Sequence, residues 1–160
     1  MADNRDIEAF YRAHAGPVYA YLVSLCRDRT LAEDLMQDTF IKATRALGGY
    51  RGGSPRAWLY AIARTVFLDD LRRRERHPMV VAEGPEMAGL PDPDPVELDA
   101  IERALATLPE RQRTALLLSD RLGLSGAEVA ETLGVSAGAA RVVVHRARQA
   151  FRANYEADAS

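Results

Sequence analysis

The chain has 160 residues, enough for one medium domain or two small ones, with 48% apolar and 28% charged residues. That balance argues against wholesale disorder, and no apolar run approaches the roughly 18 to 20 residues needed to span a bilayer. A charged start, MADNRDIEAFYR, lacks a secretory signal pattern, and Cys26 as the sole cysteine excludes an internal disulfide or a CxxC site. The expectation is a cytoplasmic protein.

The net charge of −2 is unevenly distributed. Residues 1–76 hold 13 basic and 10 acidic side chains, residues 77–99 hold six acids and no base, and residues 100–160 hold 8 and 7. Arg72, Arg73, Arg74 and Arg76 crowd one stretch, and Arg141, Arg146, Arg148 and Arg152 lie in a window free of acids. Such clusters are the electrostatic footprint of nucleic-acid contact, although a solvated helix face gives the same composition.

In chain order, Phe10, Tyr11, His14, Val18, Leu22 and Leu25 recur at helical steps, with an interruption expected at Gly16-Pro17. Thr30 is the expected N-cap of the next helix, with Glu33 completing a capping box. Leu35, Thr39, Phe40 and Ala43 continue an apolar stripe toward Leu47. GGYRGG breaks the chain, Ser54-Pro55 restarts it, and Trp58, Leu59, Ile62, Val66 and Phe67 carry a third helix into the arginine run. Five prolines between Pro78 and Pro95 predict an extended linker, because each disfavours helix in the residue before it. Helices follow from near Val96 to Leu108, from Pro109 to about Leu118, from Ser125 to Leu133, and from Ser136 to about Asn154. No strand alternation appears, so the fold class expected is all-α: two small helical domains joined by an extended acidic linker.

The most specific pattern runs from Ser125 to Arg148. Val129, Ala130 and Leu133 would form the buried face of a short helix, Gly134 the tight turn, and Ser136 the cap of a second helix with Ala140, Val144 and Ala147 facing inward. Small Ala130 and Ala140 permit the close, steep crossing of a helix-turn-helix. Ala139, Arg141, Val142, His145, Arg146 and Gln149 then face a major groove; a helical hairpin docking on protein is the plainer alternative.

Here the chain resembles a known family. LPERQRTALLLSDRLGLSGAEVAETLGVSAGAARVVVHRARQAFR is similar to the promoter-binding C-terminal domain of extracytoplasmic-function sigma factors. AEDLMQDTFIKATRAL resembles their polymerase-binding helix, and GGYRGGSPRAWLYAIARTVFLDDLRRR the segment that melts and reads the minus-ten element. The resemblance implies three parts. Residues 1–76 would be sigma domain two, 77–99 an acidic connector and 100–160 sigma domain four. It implies that Asp34, Leu35, Gln37, Asp38 and Phe40 meet the clamp helices of the largest RNA polymerase subunit. Tyr50, Arg51, Ser54, Arg56, Trp58, Arg64, Thr65, Asp69, Arg72 and Arg73 would serve the minus-ten strand, with Tyr50 stacking a base and the arginines holding phosphate. As a lone tryptophan on an apolar stripe, Trp58 is more often a core residue than a nucleic-acid contact. Ser136, Arg141, Val142, His145, Arg146 and Arg148 would serve the minus-thirty-five element, with Val142 against a thymine methyl.

Two departures from the family pattern bear on promoter choice: Thr65 stands where asparagine is frequent, and Asp70 where an aromatic residue often follows the aspartate. Further partners implied are the flap of the second-largest subunit, promoter DNA and an anti-sigma factor, with the connector lying in the polymerase's basic RNA path. No cofactor or metal site is expected: His14, His77 and His145 are far apart, and no nucleophile motif is present. The chain reads as a non-enzyme. The alternatives are a free-standing helix-turn-helix regulator and a small helical hydrolase.

Overall fold

The computed structural model describes residues 4–50, 52–76 and 95–159, among which all regular structure is helical. They form two compact units, one within Met1–Met87 and one within Ala88–Ser160. The connector expected over 77–99 lies largely outside the described residues; only its end, from Pro95, is seen, as helix.

The first unit packs three helices pairwise: α1 (Asn4–Cys26), α2 (Arg29–Ala46) and α3 (Pro55–Arg76). Val18, Tyr21 and Leu22 of α1, Ala32, Leu35 and Ala43 of α2, and Leu59, Ala63 and Val66 of α3 are buried together, as the helical stripes require. Thr39 joins this core because its hydroxyl donates to the Leu35 carbonyl at 2.7 Å, leaving no unsatisfied polar group.

Two expectations need correction. The Gly16-Pro17 interruption does not occur, and α1 runs through it. Pro17 removes one backbone donor, but Ala13, Gly16 and Pro17 all lie on the exposed side, where water can serve the carbonyl left over. The cap of α2 is Asp28, not Thr30. Arg27 turns the chain at φ 55°, closing α1 with a hydrogen bond from its N–H to the Val23 carbonyl, and Asp28 Oδ1 then accepts from the Leu31 N–H at 3.1 Å. The early reversal leaves Thr30 inside the first turn, and a carboxylate suits that end of the helix dipole.

After a 3₁₀ turn at Leu47–Gly49, Gly52 and Gly53 take φ values of 96° and 86° that other residues resist. Ser54 Oγ then accepts from the Ala57 N–H at 3.2 Å, and Pro55 begins α3 as expected.

The second unit comprises α4 (Pro95–Ala106), α5 (Glu110–Leu116), a π turn (Leu117–Arg121), α6 (Gly126–Leu133) and α7 (Ala137–Ala159). Ser125 and Glu128 form a reciprocal capping box at the start of α6, with bonds of 3.0 and 3.2 Å. Gly134 ends α6 in the left-handed region at φ 68°, and Ser136 Oγ accepts from the Ala139 N–H at 3.1 Å to start α7. Its buried face is Ala140, Val144 and Ala147, meeting Val129, Ala130 and Leu133 of α6. Helix α7 runs five residues past the expected end at Asn154. Contacts distant in sequence hold those last turns: Asn154 donates to the Thr107 hydroxyl, and Arg103 pairs with Asp158 at 2.7 Å.

Candidate polymerase and nucleic-acid interfaces

On α2 the polar residues implied for polymerase binding, Asp34, Gln37 and Asp38, are exposed. Leu35 is not on that surface; it is 3% exposed and supports the face from beneath. Phe40 is half-buried, with its ring edge-on to Tyr11 at 4.7 Å. Ile41 escaped the sequence reading. It is 49% exposed and shares a face with Asp34, Gln37 and Asp38 through three- and four-residue steps. The signal was present, because position 41 falls outside the buried stripe of 32, 35, 39 and 43.

Between α2 and α3, Tyr50 is half-buried rather than free. Its hydroxyl donates to the Gly53 carbonyl at 2.6 Å, and its ring tilts against Trp58 at 5.3 Å. Both rings line an apolar cavity of about 180 Å³ with Phe10, Phe40, Leu47 and Pro55. Trp58 therefore combines a packing role with an accessible edge. Arg51 lies outside the described residues.

Along α3, Thr65, Asp69, Arg72 and Arg76 form one exposed strip at helical spacing. Thr65 donates its hydroxyl to the Ala61 carbonyl at 3.0 Å, and its oxygen remains available as an acceptor. Arg56 and Arg64 are half-buried. The Arg56 charge reaches inward: burial, then Arg56, lowers the His14 pKa, while burial pushes Tyr60 up to about 12 against the opposing pull of Arg56. Asp69 accepts from Arg72 at 3.2 Å and lies 4.0 Å from the Lys42 ammonium, while Asp70 pairs with Arg73 and Arg74 at 2.8 Å each. The arginine run is thus largely tethered to acids on its own helix.

On α7 the outward set is as the spacing predicts: Arg141, Val142, His145, Arg146 and Gln149 are exposed, and Val142 is 48% exposed in their midst. Arg141 and Arg146 have no ion-pair or hydrogen-bond partner among the described residues. Ser136 spends its hydroxyl oxygen on the helix cap. Arg148 differs. Its Nε and Nη2 donate to Asp120 at 2.9 and 2.6 Å, and Nη2 also reaches Ser119 Oγ at 3.3 Å. Those hydrogen bonds hold the Asp120 carboxyl below its ordinary range, with burial opposing and the Arg148 charge adding to the shift. Arg148 therefore ties α7 to the π turn while its side chain stays 52% exposed. Sequence reading missed this because the partner is 28 residues away, on the π turn at Leu117–Arg121.

A groove beside α7 also went unread, lined by Ile101, Leu105, Leu116, Leu117, Phe151 and Tyr155. Among the described residues no cluster of His, Cys, Asp and Glu could hold a metal ion, and no helix is long and apolar enough to cross a membrane.

A three-helix unit with a glycine loop and arginine-rich end, followed by a capped helix-turn-helix, is an arrangement shared with sigma-type initiation factors. Residues 10–77 match the family model for Sigma-70 region 2, and residues 98–151 that for Sigma-70, region 4. The ECF RNA polymerase sigma factor SigE of Mycolicibacterium smegmatis is 38% identical over 149 residues, 88% of this chain; the chain spans 58% of that relative's length. The ECF RNA polymerase sigma factor SigC of Mycobacterium tuberculosis is 36% identical over 162 residues, covering 98% of this chain and 86% of the relative. Among solved structures, the sigma factor RpoE in complex with the anti-sigma factor NepR, from Bartonella quintana, aligns with a TM-score of 0.77 at 28% identity, covering 96% of this chain and 99% of that one. The chain belongs to the extracytoplasmic-function sigma factors, alternative sigma factors that direct promoter-specific transcription.

Proposed function

We propose that the chain binds core RNA polymerase through the exposed face of α2, reads and holds the opened minus-ten strand with α3 and the loop before it, and reads the minus-thirty-five element with α7. In this reading residues 1–76 and 100–160 are the two readers, and residues 77–99 connect them. The observation that carries it is the pairing of two region matches, in family order, with two units that each bear an exposed basic surface.

The division of labour follows from the side chains. Asp34, Gln37, Asp38 and Ile41 offer polymerase a polar ridge with one apolar point, suited to a helical partner. Tyr50 and Trp58 offer rings at the edge of an apolar cavity, where an unstacked base gains contact area. Arg72 and its neighbours meet phosphate, which supplies affinity without sequence information. Arg141, Arg146 and His145 provide donors to base edges, and Val142 an apolar contact for a thymine methyl. The groove between α4, the π turn and α7 would receive the polymerase flap. The acidic connector would lie in the enzyme's basic RNA path. Polymerase performs the chemistry; this chain is not an enzyme and acts in the cytoplasm. The anti-sigma partner of the aligned RpoE supports a similar regulator here.

Binding tests the first step. The full chain, fluorescently labelled and titrated with core polymerase, should bind saturably. Ile41→Asp should weaken that binding at least tenfold while the helical signal and melting temperature hold. Equal affinity for wild type and Ile41→Asp would remove α2 from the interface.

A further inference from the structure

Asp70 is the one charged side chain more than nine-tenths buried among the described residues, at 7% exposed. It lines one pocket together with Leu35, Val66, Asp38, Lys42, Asp69 and Arg73. Burying a carboxylate is costly unless the charge is paired and its oxygens are satisfied. Both conditions are met by neighbours in the arginine run. Oδ1 accepts from Arg73 Nη2 at 2.8 Å, and Oδ2 from Arg74 Nε at 2.8 Å. The carboxylate is fixed by packing, while the Arg73 and Arg74 side chains are 75% and 48% exposed. Each guanidinium spends one donor on Asp70 and can present others to solvent.

We propose that Asp70 is a positioning residue for promoter recognition. It fixes the direction of Arg73 and Arg74 and cancels part of their charge, so that the end of α3 grips nucleic-acid phosphates in one register instead of attracting any duplex. Three acids, Asp69, Asp70 and Glu75, stand among the four arginines of this helix end, leaving a single net positive charge. Phosphate contact is blind to sequence, so every unneutralised arginine strengthens binding to promoter and non-promoter DNA alike. A buried anchor also removes rotamer freedom that the arginines would otherwise lose on contact. An exposed acid at this point would neutralise charge without fixing direction; a buried aromatic would pack without doing either.

The inference rests on the reading of α3 as the minus-ten reader, and the test separates the two. Holoenzyme is assembled from core polymerase and the full chain, and its affinities for a promoter duplex and an unrelated duplex of equal length are measured across salt concentration. Wild-type chain that neither joins polymerase nor prefers a promoter defeats the sigma reading itself, before any variant is compared. Given that preference, Asp70→Asn should reduce it about three- to tenfold, chiefly by tightening non-promoter binding, whose log–log salt slope should steepen by about 1. Asp70→Glu, which keeps the charge, should restore most of the preference. Asparagine leaves no stranded buried charge because both arginines reach water, and Arg73→Gln probes the same tether from the exposed side, loosening non-promoter binding. An unchanged preference in Asp70→Asn, or an equal loss with glutamate and asparagine, overturns the proposal.

Discussion

The basic clusters of the two units carry their arginines in opposite ways. In the first, Arg72, Arg73 and Arg74 are paired with Asp69 and Asp70 on the same helix. In the second, Arg141 and Arg146 stand exposed without a partner among the described residues, and only Arg148 of the window's inner members is tied down. The difference matches the two tasks proposed. A helix lying in a major groove offers donors directly to base-edge acceptors and gains from unengaged guanidiniums. A helix end that meets a flexible single strand gains more from cations held in place, because the strand itself must be ordered on binding.

The widest test of that contrast is whether the units stand alone. Leu118 is fully buried in the second unit, and Leu118→Ala should destabilise it by about 2 to 5 kcal/mol. Amide exchange should report faster opening in α4 to α7 and unchanged protection in α1 to α3. Loss of protection in both units together would make them one cooperative body. Next in size is the recognition helix. Arg146→Ala should weaken promoter engagement by holoenzyme by about 1 to 3 kcal/mol and relax sequence preference at one position of the minus-thirty-five element.

Arg72→Ala should act differently in kind. It should weaken binding uniformly across sequences and reduce the salt slope by at most about 1, since Asp69 already takes up part of its charge. A change in base preference with Arg72→Ala would break the division between held and free cations. Smallest is Arg148. Its pair with Asp120 is half-exposed, so Arg148→Ala should cost less than about 1 kcal/mol of stability and leave base preference intact. The sign with pH is fixed by the depressed Asp120 carboxyl. Stabilisation is present above its unfolded value of 3.8 and is lost as pH falls through the lower folded value. Melting curves between pH 5 and pH 2 should therefore converge for wild type and Arg148→Ala at the acid end.

Much of this contrast was legible in the sequence, and the parts that were not share a cause. The helical stripes, the Ser54-Pro55 and Ser136 starts, Gly134 and the inward Ala140, Val144 and Ala147 were readable because each depends on neighbours within four residues. The Asp28 cap was missed because two capping-competent residues stood close together and the left-handed Arg27 decided between them. The continuity of α1 through Pro17 depended on which face of the helix met solvent. Burial of Asp70, the Arg148–Asp120 clamp and the length of α7 depend on packing and on partners remote in sequence. Spacing alone placed Arg148 and Arg146 on one basic run; only the fold separates them.

The central claim, that one chain supplies two promoter readers to polymerase, is tested most directly by mapping transcription starts. Purified full chain and core polymerase are incubated with genomic DNA fragments, and RNA 5′ ends are mapped with and without the chain. The account predicts chain-dependent starts at a limited set of sites sharing two spaced elements, with no specific footprint from the chain alone. Tight footprinting by the free protein as a dimer, with no chain-dependent starts, would contradict it.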